Sequence, residues 1–220
     1  MPKQMVLPFG VQPALGREHF IVAPCNEAAF RFIDAWPEWP ARACAIYGPK
    51  GCGKSHLAHV WAERAHGVVV PAEDPDAVSV LDRLGALDTP TIIDGLGEAS
   101  EKRDRALMAL FERPRGFLLF TGSSPPAEWN TIIGDLRSRF DSLLAFPMWA
   151  VDETLLAGLL QKLFADRQLD IPQSLATRVL ARLERTPEAI ATFVARADVK
   201  ALSEKRAIGE RLIQELLDES

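Results

Sequence analysis

Between positions 48 and 55 the chain reads GPKGCGKS, and no other stretch constrains the fold as strongly. The octapeptide fits G-x-x-x-x-G-K-[ST]. An apolar run, ARACAIYG, leads into it, and a helical pattern, HLAHVWAERAHG, follows. Gly48, Gly51 and Gly53 let the backbone curl so that its N–H groups converge on phosphate oxygens. Lys54 is placed to reach the β- and γ-phosphates, Ser55 offers a hydroxyl to Mg²⁺, and the helix N-terminus adds a favourable dipole. In a chain of 220 residues this pattern arises by chance about once in a hundred. A strand, a phosphate loop and a helix in that order predict a site for ADP or ATP with Mg²⁺ on an α/β framework.

The rest of the chain extends that framework. VVVPA, PTIIDG, GFLLFTGSS and SLLAFP read as four further short strands, separated by helical patterns at 76–87 and 101–112 and by a short helix before SLLAFP. Upstream, NEAAFRFIDAW reads as a helix capped by Asn26. Strands alternating with helices predict a five-stranded parallel sheet covered on both faces. After Asp152 the strand pattern ends. DETLLAGLLQKLFADRQL begins at a capping aspartate and sets Leu155, Leu156, Leu159, Leu163 and Phe164 on one face. IPQSLATRVLARLER, TPEAIATFVARADVKA and EKRAIGERLIQELLD follow as amphipathic helices. The expected organisation is a leader over 1–15, an αβα nucleotide-binding domain over 16–150 and a small all-helical lid over 151–220.

Composition narrows the function classes. Hydrophobic residues make up 48% and charged ones 25%, ordinary values for a globular protein, and no apolar run approaches membrane-spanning length. The N-terminus lacks the apolar core of a signal peptide. Three cysteines without C-x-x-C spacing suggest reduced thiols in the cytoplasm. A net charge of −5 gives no overall attraction to nucleic acid.

A phosphate loop needs an acidic partner at the end of a neighbouring apolar strand, and Asp94 in TIIDG supplies it for the Mg²⁺ water shell. Efficient NTPases place a second carboxylate next, to orient the attacking water. Here the next residue is Gly95; Glu98, three further on, reads as a loop carboxylate. Weak intrinsic hydrolysis is expected. His56 and His59 lie one turn apart without a third ligand nearby, so packing or surface roles suit them better than a metal.

HFIVAPCNEAAF, GPKGCGKSHLAHVWA, LLFTGSSPPAEW and DLRSRF, in that order, resemble motifs of the DnaA/Hda family of AAA+ P-loop NTPases. The resemblance runs over nearly the whole chain from Phe20. It implies nucleotide contacts from Gly48, Pro49, Lys50, Gly51, Cys52, Gly53, Lys54, Ser55 and His56. It further implies an adenine enclosure by Phe20, Ile21, Val22 and Asn26, a sensor 1 at Ser123 or Ser124, and Asp94 as the Walker B acid. Arg139 would be an arginine finger acting in trans on a neighbour's nucleotide, although its helical spacing also allows a pair with Asp135. The sensor 2 arginine is replaced: its position falls at Glu188, with Arg185 nearest.

The leader stretch QMVLPF is similar to the Q-L-x-L-P-[LF] peptide with which regulatory members of the family bind the replication sliding clamp. Pro8 biases Leu7 toward an extended backbone, so Gln4, Leu7 and Phe9 suit a polar and an apolar pocket. Folding back as an edge strand is the competing role. No residues remain after Ser220 for a DNA-reading helix-turn-helix domain, so sequence-specific DNA binding is not expected. The implied partners are the clamp and DnaA, with a homo-oligomer also open. The alternative reading is an autonomous AAA+ ATPase, such as a helicase loader or remodelling factor.

Overall fold

The structure is a computed structural model that describes residues 16–17, 20–72, 74–167, 169, 171–204 and 208–218, with the backbone alone at Glu188. Five strands form one parallel sheet: β1 (Ala43–Tyr47), β2 (Val68–Pro71), β3 (Thr91–Asp94), β4 (Leu118–Gly122) and β5 (Leu144–Pro147). Their order across the sheet is β2-β3-β4-β1-β5. β1 therefore lies between β4 and β5, and β4 separates it from β3.

Alternation along these strands sorts two cores, because successive side chains leave opposite faces. Cys44, Ile46, Ile92 and Leu119 join one cluster with α1 (Glu27–Asp34) and α2 (Lys54–Ala65). Ala45, Val70, Ile93, Leu118 and Phe120 join the other with α3 (Ala77–Leu84), α4 (Glu101–Glu112) and α5 (Gly134–Asp141). On the first face Trp39 stacks between Phe32 and Trp61 at centroid distances of 4.7 and 4.8 Å, and its Nε1 donates to the Phe32 carbonyl. On the second, buried Arg113 donates to the carbonyls of Leu84, Leu87 and Thr89. Those bonds satisfy carbonyls at the end of α3 and in the turn after it; the helix stops at Leu84, three residues before the expected 87.

The second unit packs α6 (Glu153–Ala165), α7 (Gln173–Arg182), α8 (Pro187–Glu204) and α9 (Glu210–Asp218) around Leu160, Phe164, Val179, Phe193 and Ile213. Asp152 caps α6 as its sequence predicts, accepting from the Leu155 amide at 2.7 Å. The buried stripe of α6 is Leu155, Leu156, Leu160 and Phe164. Leu159 and Leu163 are only partly buried and pack against the flank of that cluster. The last helix begins at Glu210, later than EKRAIGERLIQELLD suggests.

Asn26 corrects another expectation. It occupies the N-cap position of α1, but its side chain makes no capping bond. Its Oδ1 instead accepts from the Ala23 amide and its Nδ2 donates to the Ile21 carbonyl, both at 2.9 Å. A buried amide with two backbone partners holds the 21–26 turn closed.

Candidate functional site

The C-terminal ends of four parallel strands, β1, β3, β4 and β5, build the site. β1 runs into Gly48, whose amide donates to the Gly122 carbonyl of β4 at 3.0 Å. Met148, just past β5, donates its amide to the Tyr47 carbonyl at 2.7 Å. These bonds bring the residue 148 backbone against the loop. A Cβ on Gly48 would stand 1.9 Å from the Met148 carbonyl oxygen, so only glycine fits there. Gly53 has φ +98 at the N-cap of α2 and turns the chain into the helix.

Lys54 folds across this loop, its Nζ donating to the Gly48 and Pro49 carbonyls at 2.8 Å each. Ser55 Oγ donates to Asp94 Oδ1 at 3.1 Å, which unites the end of β3 with the start of α2. Cys52 is buried, Gly51 and Gly53 are half-buried, and Pro49 and Lys50 lie on the exposed rim. The loop, its lysine, its hydroxyl and its acid thus converge as the motif predicts. Backbone donors, an ammonium and a hydroxyl–carboxylate pair suit a polyphosphate with Mg²⁺.

One member of the cluster escaped sequence reasoning. Thr121 on β4 pairs in register with Asp94. Its hydroxyl donates to Asp94 Oδ1 at 2.6 Å and accepts from the Gly95 amide at 2.9 Å. Ser123, expected as sensor 1, is exposed just past β4, and the Ser124 carbonyl accepts from Trp129 Nε1. The available signal was parity: Thr121 is the polar residue at the end of an apolar strand. Gly95 has φ +81, a conformation unfavourable for the carboxylate that efficient hydrolysis would place there. Glu98 is exposed in the loop beyond it.

The segment expected to enclose adenine borders the same loop. Phe20 is buried, stacks on Phe30 at 5.6 Å and meets the His56 ring edge-on at 5.2 Å. A Cβ on Gly53 would lie 3.7 Å from the Phe20 ring. Val22 is 41% exposed, leaving an apolar edge open, and Asn26 braces the turn from below. Ala23, Cys25 and Leu155 of α6 form a small cluster with Ile21, so the lid packs on this segment. Arg185 is the arginine nearest to the expected sensor 2 position. Arg185 pairs with Glu153 at the start of α6, at 2.8 Å and largely exposed.

His59 Nδ1 contacts the Ser55 carbonyl at 2.7 Å, and His56 Nε2 lies 3.4 Å from the Gly16 carbonyl. Among the described residues no cluster of three or more His, Cys, Asp or Glu side chains could hold a metal. All three cysteines are unpaired and buried, and burial pushes the Cys44 thiol well above its ordinary range.

Arg139 lies elsewhere. It occupies the last turn of α5, which covers the sheet face opposite α2. Its side chain is exposed, and among the described residues its guanidinium makes no ion pair, with Asp135 or any other. Its neighbour Arg137 does the structural work, donating to the Ala127 carbonyl at 2.9 Å and to that of Trp129, and pairing with Asp141. Gln4, Leu7 and Phe9 fall outside the described residues. No helix among the described residues is long and apolar enough to cross a membrane.

No protein-family model matches the chain. The chromosomal replication initiator protein DnaA of Deinococcus deserti is 23% identical over 233 aligned residues, covering 92% of this chain. The chain spans about half of that relative's length, 51%. Among solved structures, domain III of Thermotoga maritima DnaA superposes with a TM-score of 0.71 at 17% identity, covering 94% of this chain and 97% of that one. AMPPCP-bound DnaA from Aquifex aeolicus also gives 0.71, at 16% identity over 87% of this chain and 67% of that one. A Thermotoga maritima RuvB variant gives 0.65 at 15% identity, over 88% and 66% of the two chains. The chain therefore has the α/β fold of DnaA domain III, a five-stranded parallel sheet with helices.

Proposed function

We propose that this chain is an Hda-like negative regulator of replication initiation. It holds ADP or ATP with Mg²⁺ at Gly48–Ser55 and Asp94, docks against ATP-bound DnaA, and supplies Arg139 to that neighbour's nucleotide. The leader residues Gln4, Leu7 and Phe9 tether it to the sliding clamp. A single observation carries this reading: Arg139 is an exposed guanidinium without an ion-pair partner among the described residues, on the sheet face opposite the helix that follows the phosphate loop. An arginine so placed is available to a second subunit. There its charge would stabilise the transferring phosphoryl group, an effect on the order of 10³–10⁵ in rate in well-studied NTPases.

Gly95 supports the same division of labour. Without a water-orienting carboxylate, the chain's own site favours holding nucleotide over turning it over. The test adds purified protein to ATP-bound DnaA, with and without DNA-loaded clamp, and measures hydrolysis. Stimulation by the wild type that disappears in Arg139→Ala, with nucleotide binding intact, is expected. Equal stimulation by both proteins would refute the finger. Rapid turnover by the isolated chain would instead favour an autonomous ATPase.

A further inference from the structure

α4 carries two adjacent charged residues that the site does not use, and both are buried: Arg103 is 5% exposed and Asp104 is 0%. The Arg103 guanidinium divides its donors between two loops. Nη1 donates to the Leu96 and Gly97 carbonyls at 3.3 and 3.2 Å, in the loop that leaves Asp94 and Gly95. Nη2 donates to the Asn130 carbonyl at 2.7 Å and to Asp104 Oδ1 at 2.5 Å. Nε also donates to Asp104 Oδ1, at 2.9 Å. The other carboxylate oxygen, Asp104 Oδ2, accepts from Thr131 Oγ1 and the Ile132 amide at 2.6 Å and from the Ile133 amide at 3.3 Å.

Ile133 is the N-cap residue of α5, and its carbonyl accepts from the Arg137 amide. Ile132 beside it is 63% exposed, an apolar side chain next to the helix that bears Arg139. A chain of direct bonds thus runs from Ser55 and Asp94, through Thr121 and Gly95, to the 96–97 loop, Arg103, Asp104 and the start of α5. Because a guanidinium is a planar, rigid fork, it cannot follow a shift of one loop without disturbing its bonds to the other. The Arg103 side chain is itself buried, so losing a carbonyl on one loop leaves a buried donor poorly paired, which couples the two loops.

We propose that Arg103 is a positioning residue for the Arg139 face. Nucleotide at the chain's own phosphate loop sets the 96–97 loop, and Arg103 passes that setting to residues 130–133 and the start of α5. The proposal deepens the reading of Arg139 as a finger and rests on it for its purpose. It adds that presentation of Ile132 and Arg139 to the partner subunit depends on the nucleotide this chain holds.

Hydrogen–deuterium exchange of the full chain tests it with no partner present. In the wild type, Mg·ADP is expected to slow exchange of the Ile132 and Ile133 amides roughly fivefold or more, the lower end of ordinary coupling between sites. In Arg103→Lys that change should vanish at 130–139 while protection of residues 48–57 by Mg·ADP persists. Thr131→Val is a second variant for the case that Arg103→Lys does not fold. It deletes one donor to Asp104 and should at least halve the nucleotide effect at residues 132–133. Nucleotide-induced protection at 132–133 that is absent in the wild type, or unchanged in the variants, overturns the proposal. The readout is separate from DnaA hydrolysis. Intact coupling without stimulation sinks the regulator reading alone, and stimulation with nucleotide-independent exchange sinks this proposal alone.

Discussion

Asp104→Asn removes one negative charge at nearly constant shape, and the structure sets its cost. The wild-type carboxylate offers an acceptor on both sides. Oδ1 takes two donors from Arg103, and Oδ2 takes Thr131 and the amides of Ile132 and Ile133. An asparagine has a single acceptor oxygen. If that oxygen faces the 131–133 loop, its NH₂ group opposes the buried Arg103 fork, donor against donor. Breaking a buried ion pair by neutralising one partner costs about 3–5 kcal/mol. Arg103 keeps the Leu96, Gly97 and Asn130 carbonyls, which places the loss near the low end, about 3 kcal/mol. For a chain of this size that lowers Tm by roughly 6–12 °C. Thermal unfolding followed by circular dichroism at pH 7 measures it. Desolvation works to raise the Asp104 pKa, but donation from Thr131, the Ile132 amide and Arg103 outweighs it and holds the carboxyl below its ordinary 3.8. A depressed pKa contributes stability that is present above the unfolded-state value and lost as pH falls through the folded one. The gap between wild type and variant should therefore hold from pH 7 to 5 and narrow only below about pH 4. A Tm shift under about 2 °C, or a gap unchanged by acid, would refute the argument.

Other perturbations address the nucleotide site and the leader. Thr121→Val should weaken Mg²⁺-dependent nucleotide binding by roughly tenfold, about 1.4 kcal/mol, while Mg²⁺-free binding changes little; calorimetry with and without Mg²⁺ checks it, and equal losses would separate Thr121 from the metal. Gly48→Ala forces a methyl to within 1.9 Å of the Met148 carbonyl oxygen, so the loop must shift; a retained far-ultraviolet spectrum with nucleotide affinity down at least about tenfold is expected. Gln4→Ala combined with Leu7→Ala should abolish co-elution with the clamp and leave nucleotide affinity unchanged, whereas persistent co-elution would give the leader another role.

What could be read in advance was local. The phosphate loop specifies itself, because its glycines, lysine and serine act through the backbone of one contiguous octapeptide. The strands were legible from short apolar runs, and the Asp152 cap from a bond spanning three residues. Asp94 was legible because it ends an apolar strand. Asn26 misled for the complementary reason: an asparagine before a helix is a cap by statistics, but here tertiary packing offered it Ala23 and Ile21 instead.

The amino-acid sequence by itself thus determined that a phosphate loop sits between a strand and a helix, that a parallel α/β sheet surrounds it, and that a helical unit follows. Only the tertiary structure decided that Thr121 grips Asp94, 27 positions away, because the register of β3 against β4 makes that pairing. It also decided that Arg137 anchors α5 while Arg139 is left exposed, and that Arg103 and Asp104 join two loops to one buried charge pair. Those contacts depend on strand order and on which sheet face each helix covers. Neither is encoded in any short window, since a strand's alternation names its two faces without saying which neighbour lies on either.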